Sequence, residues 1–263
     1  MKLFAIYGNP VSHSRSPLMH NKVFKDLHFP ACYTRIKLED GSKLKEDFFA
    51  RKLDGANVTV PHKEAAFEAC DEVRGFANTV GVVNTLVNVD GKLIGYNTDA
   101  DGFIFAMQAF SDVKSILVLG AGGTSKALTQ KFIDEGFETT VVNRSENRLE
   151  SFKGLGCQVA TWESVEVKAY DLIVNTTSAG LEDENYPAPL ELLEQLVTKT
   201  SAMADAIYGK KTPFLKLAQK HNIPNIDGQA MLIGQGVLGN ELFTQGKLEK
   251  SKILEAMQKS FEL

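Results

Sequence analysis

Tryptophan occurs once in the 263 residues and cysteine three times, and the two scarcities limit what the chain can be. Cys32, Cys70 and Cys157 are odd in number and far apart, which argues against a disulfide framework or a zinc cluster and for reduced thiols. The five histidines, His13, His20, His28, His62 and His221, fall into no metal-binding spacing such as HExxH, so no metal is expected. Long hydrophobic runs are missing too: none approaches the roughly 18 to 20 residues of a membrane span. The N-terminal MKLFAIYGNP turns polar too soon for a signal peptide. A cytoplasmic protein with no membrane partner is expected. Neither sign of charge dominates, with 29 basic and 33 acidic residues, a net charge of -4 and a pI near 5.8, and no run of one sign suggests nucleic acid as a partner.

What is present is the composition of a globular protein, 43% hydrophobic and 24% charged, at the length of one large or two ordinary domains. The first hundred residues alternate short apolar runs with amphipathic stretches: KLFAIYG, a helix over about 16–27, ACYTRIKL, a helix near 43–49, then GANVTV. That rhythm predicts a mostly parallel sheet with crossover helices. VVNTLVNVDGKLIGYN adds a hairpin turning at Asp90-Gly91. After a linking helix near 101–110 the pattern restarts at SILVLGAGG and continues through ETTVVN, CQVAT, DLIVNTT and SAMADAI. Five short strands with helices between them, the first ending in a glycine turn, predict a doubly wound nucleotide-binding domain. The C-terminal GQAMLIGQGVLGNELF and KSKILEAMQKSF have helical periodicity, and either domain could receive them.

Six stretches carry chemistry. Gly120-Ala121-Gly122-Gly123, followed by Thr124, lies between an apolar strand and a helix, where backbone amides can approach a pyrophosphate; Ser125 stands in the third glycine position of GxGxxG. The next strand ends VVNRSENR, offering Asn143, Arg144, Ser145 and Arg148 where an NAD enzyme would place a carboxylate, a set that suits a 2′-phosphate and so NADP. In GANVTVPHK, Asn57 and Thr59 are expected on one face of a strand end, with Lys63 in the first turn of the following helix, against the preference of the helix dipole. Asn84 is an amide inside the apolar run VVNTLV and needs partners, while Asn97-Thr98-Asp99 can be read as an N-cap. In the opening GNPVSHSRSPLMHN, Ser16 before Pro17 also reads as a helix cap.

These motifs, in this order with DAIYGKKTPF and DGQAMLIGQG, resemble the shikimate dehydrogenase family over nearly the whole chain. The resemblance implies an α/β protein of two domains. A catalytic domain over 1–98 is completed by C-terminal helices over 228–263, and a doubly wound Rossmann NADP-binding domain over 99–227 is inserted, with the substrate cleft at their junction. It implies reversible NADPH-linked reduction of 3-dehydroshikimate to shikimate. Carried over by position, the catalytic residues fall on Lys63 and Asp99, and the substrate-binding residues on Ser14, Ser16, Thr59, Asn84, Tyr208 and Gln235. The cofactor-binding residues fall on Gly120 to Thr124, Asn143, Arg144, Ser145, Arg148, Ala206 and Gly228. Ser14 and Ser16, two apart on an extended segment, would share the substrate carboxylate.

Thr124 and Lys126 replace an alanine and an arginine common in the family's glycine turn, and Ala206 stands where relatives often carry a bulkier residue. A quinate/shikimate dehydrogenase of broader range is the nearest alternative, and the intact Ser16 leans away from quinate. A methylenetetrahydrofolate dehydrogenase type would not explain Ser14 and Ser16. A non-catalytic NADP-binding regulatory protein would not need both Lys63 and Asp99. Monomer and homodimer are both compatible with the family.

Overall fold

The computed structural model describes residues 1–262, which form two compact units: Met1–Gly102 with the chain from Ile233 onward, and Phe103–Leu232. The divisions fall inside two helices, not at the ends of the expected 99–227 insert. A continuous helix keeps its own backbone bonds while its side-chain partners change along its length.

The first unit runs β1 (Lys2–Gly8), α1 (Ser16–Asp26), β2 (Ala31–Lys37), α2 (Leu44–Ala50), β3 (Gly55–Val58), α3 (Lys63–Ala69), β4 (Glu72–Val73), α4 (Phe76–Val80), β5 (Thr85–Val89), β6 (Lys92–Tyr96) and the start of α5 (Asp99–Met107). Its sheet has the order β2-β1-β3-β5-β6-β4. β1 lies parallel to β2 and β3, and β4 parallel to β6, but β5 is antiparallel to both neighbours, so the sheet is mixed. The hairpin accounts for this: Asp90 and Gly91 take positive φ, and the Gly91 amide donates to Asn88 Oδ1 at 3.0 Å, the geometry of a two-residue turn.

One face of the sheet packs on α2 and α3 through Tyr7, Phe48, Val58, Ala66 and Leu86. On the other, Phe4 stacks on Phe243 and tilts against Phe24 of α1.

The second unit continues from α5 through β7 (Ser115–Leu119), α6 (Gly123–Asp134), β8 (Glu138–Asn143), β9 (Gln158–Thr161), β10 (Leu172–Asn175), α7 (Leu190–Val197), β11 (Ala202–Asp205), α8 (Pro213–Lys220), β12 (Asn225–Ile226) and the first turn of α9 (Gly228–Thr244). The remainder of α9 and α10 (Lys250–Lys259) belong to the first unit. All pairings in the second sheet are parallel and the order is β12-β11-β10-β7-β8-β9. This is the doubly wound Rossmann arrangement, with its switch point between β7 and β10. β7 and β10 are almost wholly buried, as strands covered on both faces must be. Leu193, Leu196 and Phe214 of α7 and α8 pack against Leu117, Ile173 and Met203. The two-residue β12 makes a sixth strand beyond the five expected. No helix among the described residues is long and apolar enough to cross a membrane.

Candidate active site

In the first unit the polar residues gather where β1 and β3 end. Thr59 follows β3, and its amide donates to Tyr7 O at 2.8 Å. A Cβ at position 8 would lie 2.5 Å from the Thr59 methyl, so Gly8 is what lets the two segments approach. Lys63 opens α3 as expected, half-buried, and its Nζ lies 2.5 Å from Asp99 Oδ2 at the start of α5. Asp99 is not a cap that spends its carboxylate on the helix. Asn97 takes that part, its Oδ1 accepting from the Asp99 amide at 3.0 Å, and the Asp99 side chain is left for the lysine.

Behind this pair Asn84, 2% exposed, finds the partners an interior amide needs. Its Oδ1 accepts from the Thr98 amide at 2.8 Å and from Thr85 Oγ1 at 2.9 Å, and its Nδ2 donates to Thr98 Oγ1 at 3.1 Å. Asn84 therefore fixes the residue preceding Asp99. Asn57 extends the network, donating to Thr85 Oγ1 at 3.0 Å and accepting from Tyr33 Oη at 2.7 Å.

Ser14 and Ser16 are both buried, with Oγ atoms 3.3 Å apart. The expectation that Ser16 caps α1 is corrected: Arg15 is already helical and Ser16 is the first residue of the helix, without a side-chain capping bond. Ser14 meets the free amide instead, its Oγ accepting from Ser16 N at 3.3 Å. The Ser14 carbonyl is clamped by Arg35, whose Nη2 donates at 2.6 Å. Gln235 reaches this unit because α5 and α9 cross at glycines. A Cβ on Gly102 would fall 2.4 Å from the Gln235 amide nitrogen, and one on Gly234 would fall 2.5 Å from Gly102 O. Gln235 thus packs one helical turn from Asp99. A separate cavity of about 580 Å³, between the β5–β6 hairpin and the far part of α9, is lined by none of these expected residues.

The second unit carries the other expected residues at the C-terminal ends of its strands. Gly120 has φ +108, and a Cβ there would meet Thr177 Cγ2 at 2.8 Å, so only glycine serves. Ser125 Oγ donates to Gly120 O at 2.7 Å and holds the turn against α6. Gly122 and Gly123 have open space where a Cβ would be, and α6 begins without a side-chain cap, leaving its first amides for a ligand. At the end of β8, Asn143 Nδ2 donates to Ser145 O at 3.0 Å, while Arg144 and Arg148 are exposed. The strand ends on this asparagine and not on a carboxylate, which suits a phosphate added to the ribose.

Ala206 and Tyr208 follow β11, and Gly228 packs so closely that a Cβ would lie 2.2 Å from Ala206 O. Three residues outside the expected set hold these groups in place: Asn97, Asn57 and the buried Asp205. Asn57 and Asp205 lie inside recognisable motifs, but their burial is a tertiary property.

Residues 6–86 match the family model described as the shikimate dehydrogenase substrate binding domain. The chain is 43% identical to the shikimate dehydrogenase (NADP(+)) of Helicobacter hepaticus over 95% of its own length and 94% of that protein. Among solved structures it is similar to the shikimate 5-dehydrogenase of Thermus thermophilus in complex with NADP(H) and shikimate, with TM-score 0.85, 33% identity and coverage of 99% and 100% of the two chains. It is likewise similar to the shikimate dehydrogenase of Aquifex aeolicus, with TM-score 0.89, 32% identity and coverage of 100% and 98%. With near-complete coverage of these three relatives and both units accounted for, the chain belongs to the shikimate dehydrogenase family.

Proposed function

We propose that the protein is an NADP-dependent shikimate dehydrogenase that reversibly reduces 3-dehydroshikimate to shikimate, a step toward chorismate and the aromatic amino acids. The observation that carries the reading is the ion pair of Lys63 and Asp99, together with the buried serine pair, in a chain whose relatives are named as shikimate dehydrogenases. NADPH, when bound, supplies the hydride. Gly120 to Thr124 would hold its pyrophosphate, Asn143, Arg144, Ser145 and Arg148 its 2′-phosphate, and Ala206 and Gly228 would line the nicotinamide end.

Reduction of a ring ketone develops negative charge on its oxygen, and a proton must arrive there. The Lys63 ammonium stabilises that oxygen and delivers the proton. Asp99 orients the lysine and accepts from a substrate hydroxyl. Ser14 and Ser16 donate to the substrate carboxylate, and Thr59, Asn84, Tyr208 and Gln235 pair the remaining ring hydroxyls, because a buried polar group without a partner weakens binding. The enzyme works in the cytoplasm, as a monomer or homodimer, with small molecules as substrates. The test is the change in nicotinamide absorbance with shikimate and with quinate, each with NADP and with NAD. Turnover is expected for shikimate with NADP, and no turnover with any of the four pairs would refute the enzyme reading.

A further inference from the structure

Asp205 ends β11 with 1% exposure, and the charged group acting on it is Asp227, of its own sign. Its Oδ1 accepts from Asn175 Nδ2 at 3.1 Å and from the Ile207 amide at 3.0 Å, and its Oδ2 accepts from Thr212 Oγ1 at 2.6 Å. These donors lie at the end of β10, in the turn after β11 and at the cap of α8, where Thr212 Oγ1 also accepts from the Leu215 amide at 3.3 Å. One carboxylate therefore ties down the middle of the segment Ala206–Tyr208, which is also anchored by the bond from Ala206 N to Asn175 O at 2.9 Å and that from Gly228 N to Ile207 O at 2.9 Å.

A buried carboxylate with no ion-pair partner among the described residues is costly, and burial raises the Asp205 pKa even against its three hydrogen bonds. Architecture alone does not demand the charge, since an asparagine or serine could accept from the Ile207 amide at less cost. The position suggests what the charge does. In a doubly wound sheet the dinucleotide lies across the C-terminal strand ends. The arginines that suit the 2′-phosphate follow β8, on one side of β7, so the ends of β10 and β11 on the other side serve the nicotinamide half. An oxidised nicotinamide ring carries a positive charge that the reduced ring lacks.

We propose that Asp205 is a positioning residue for the nicotinamide end, holding Ala206–Tyr208 in place and, through its fixed charge, favouring the oxidised over the reduced cofactor. This rests on the NADP reading of the second unit. The experiment measures dissociation constants of NADP+ and NADPH, without substrate, for the full-length wild type and for Asp205→Asn and Asp205→Ser. Asparagine is nearly isosteric and serine is smaller, so the second variant serves if the first does not fold.

Removing the charge is expected to weaken NADP+ binding about three- to tenfold more than NADPH binding. Thr212→Val, which keeps the charge and loses both the bond to Asp205 and the cap on the Leu215 amide, is expected to change both affinities by the same factor. An unchanged NADP+/NADPH ratio in the charge-removing variants, or an equal ratio shift in Thr212→Val, would overturn the proposal. Failure of the wild type to bind either dinucleotide would instead remove the NADP reading beneath it.

Discussion

Lys63 Nζ and Asp99 Oδ2 stand 2.5 Å apart, brought together from the first residues of two helices that lie 36 positions apart in the chain. Both side chains remain partly exposed, at 31% and 21%, so the pair is open to a small molecule. Asn97 and Asn84 supply the backbone bonds at this helix start that an aspartate cap would otherwise compete for. If Asp99 orients the lysine, Asp99→Asn keeps the shape and loses the charge-assisted bond, and kcat falls about 10- to 100-fold, the worth of one hydrogen bond to a charged group. Steady-state kinetics with saturating NADP and shikimate would measure it, and an unchanged kcat would contradict the assignment.

The serine pair predicts a different kinetic signature. Ser14→Ala and Ser16→Ala each remove one proposed donor to the substrate carboxylate, and on that reading the KM for shikimate rises about tenfold while the KM for NADP is unchanged. Ser14→Ala also leaves the Ser16 amide without the bond it now makes, so it loses slightly more stability than Ser16→Ala in a urea titration. Equal changes in both KM values would point to a disturbed fold and not to a lost carboxylate contact.

At the end of β8 the test is a change of preference. The double variant Arg144→Ala, Arg148→Ala removes two exposed guanidinium groups from the expected 2′-phosphate site. Its kcat/KM with NADP falls about tenfold or more, while that with NAD, which has no such phosphate, changes little. A parallel loss with both cofactors would move the arginines elsewhere in the cofactor site.

Much of this arrangement is legible in the sequence because its signals are local. Asp90-Gly91 marks the hairpin, the glycine turn marks the start of the second sheet, and VVNRSENR carries the expected cofactor preference, each within a few consecutive residues. What stays hidden depends on distant segments. The two-residue strands β4 and β12 are too short for any periodicity. Ser16 reads as a cap because sequence cannot show that Arg15 is already in helical conformation. Gly102 looks like a weak point in a helix, and its reason is the backbone of Gln235, 133 residues further along. Asp205 reads as an ordinary strand-end aspartate until its burial is known.

Stability should also depend on pH through His20. It is fully buried, stacked on Tyr33 with centroids 4.4 Å apart, and its Nε2 has no hydrogen-bond partner to accept a proton's charge. Burial lowers its pKa from 6.5 to about 3. The unfolded chain therefore takes up this proton first as pH falls, so the contribution is intact above pH 6.5 and is lost progressively between 6.5 and 3. At pH 5 the loss is about 2 kcal/mol. Urea titrations at pH 7 and pH 5 would show that difference in the wild type and a smaller one in His20→Gln, and the same pH dependence in both proteins would contradict it.

The most direct measurement of the central claim is the rate of NADPH oxidation with 3-dehydroshikimate, at saturating concentrations, for the wild type and Lys63→Ala. The account predicts a drop in kcat of about 10² to 10⁴, the usual contribution of a positioned proton donor, with the NADPH affinity preserved. A variant that turns over at the wild-type rate and shows only a raised KM for the substrate would mean that Lys63 binds the substrate without taking part in the reaction.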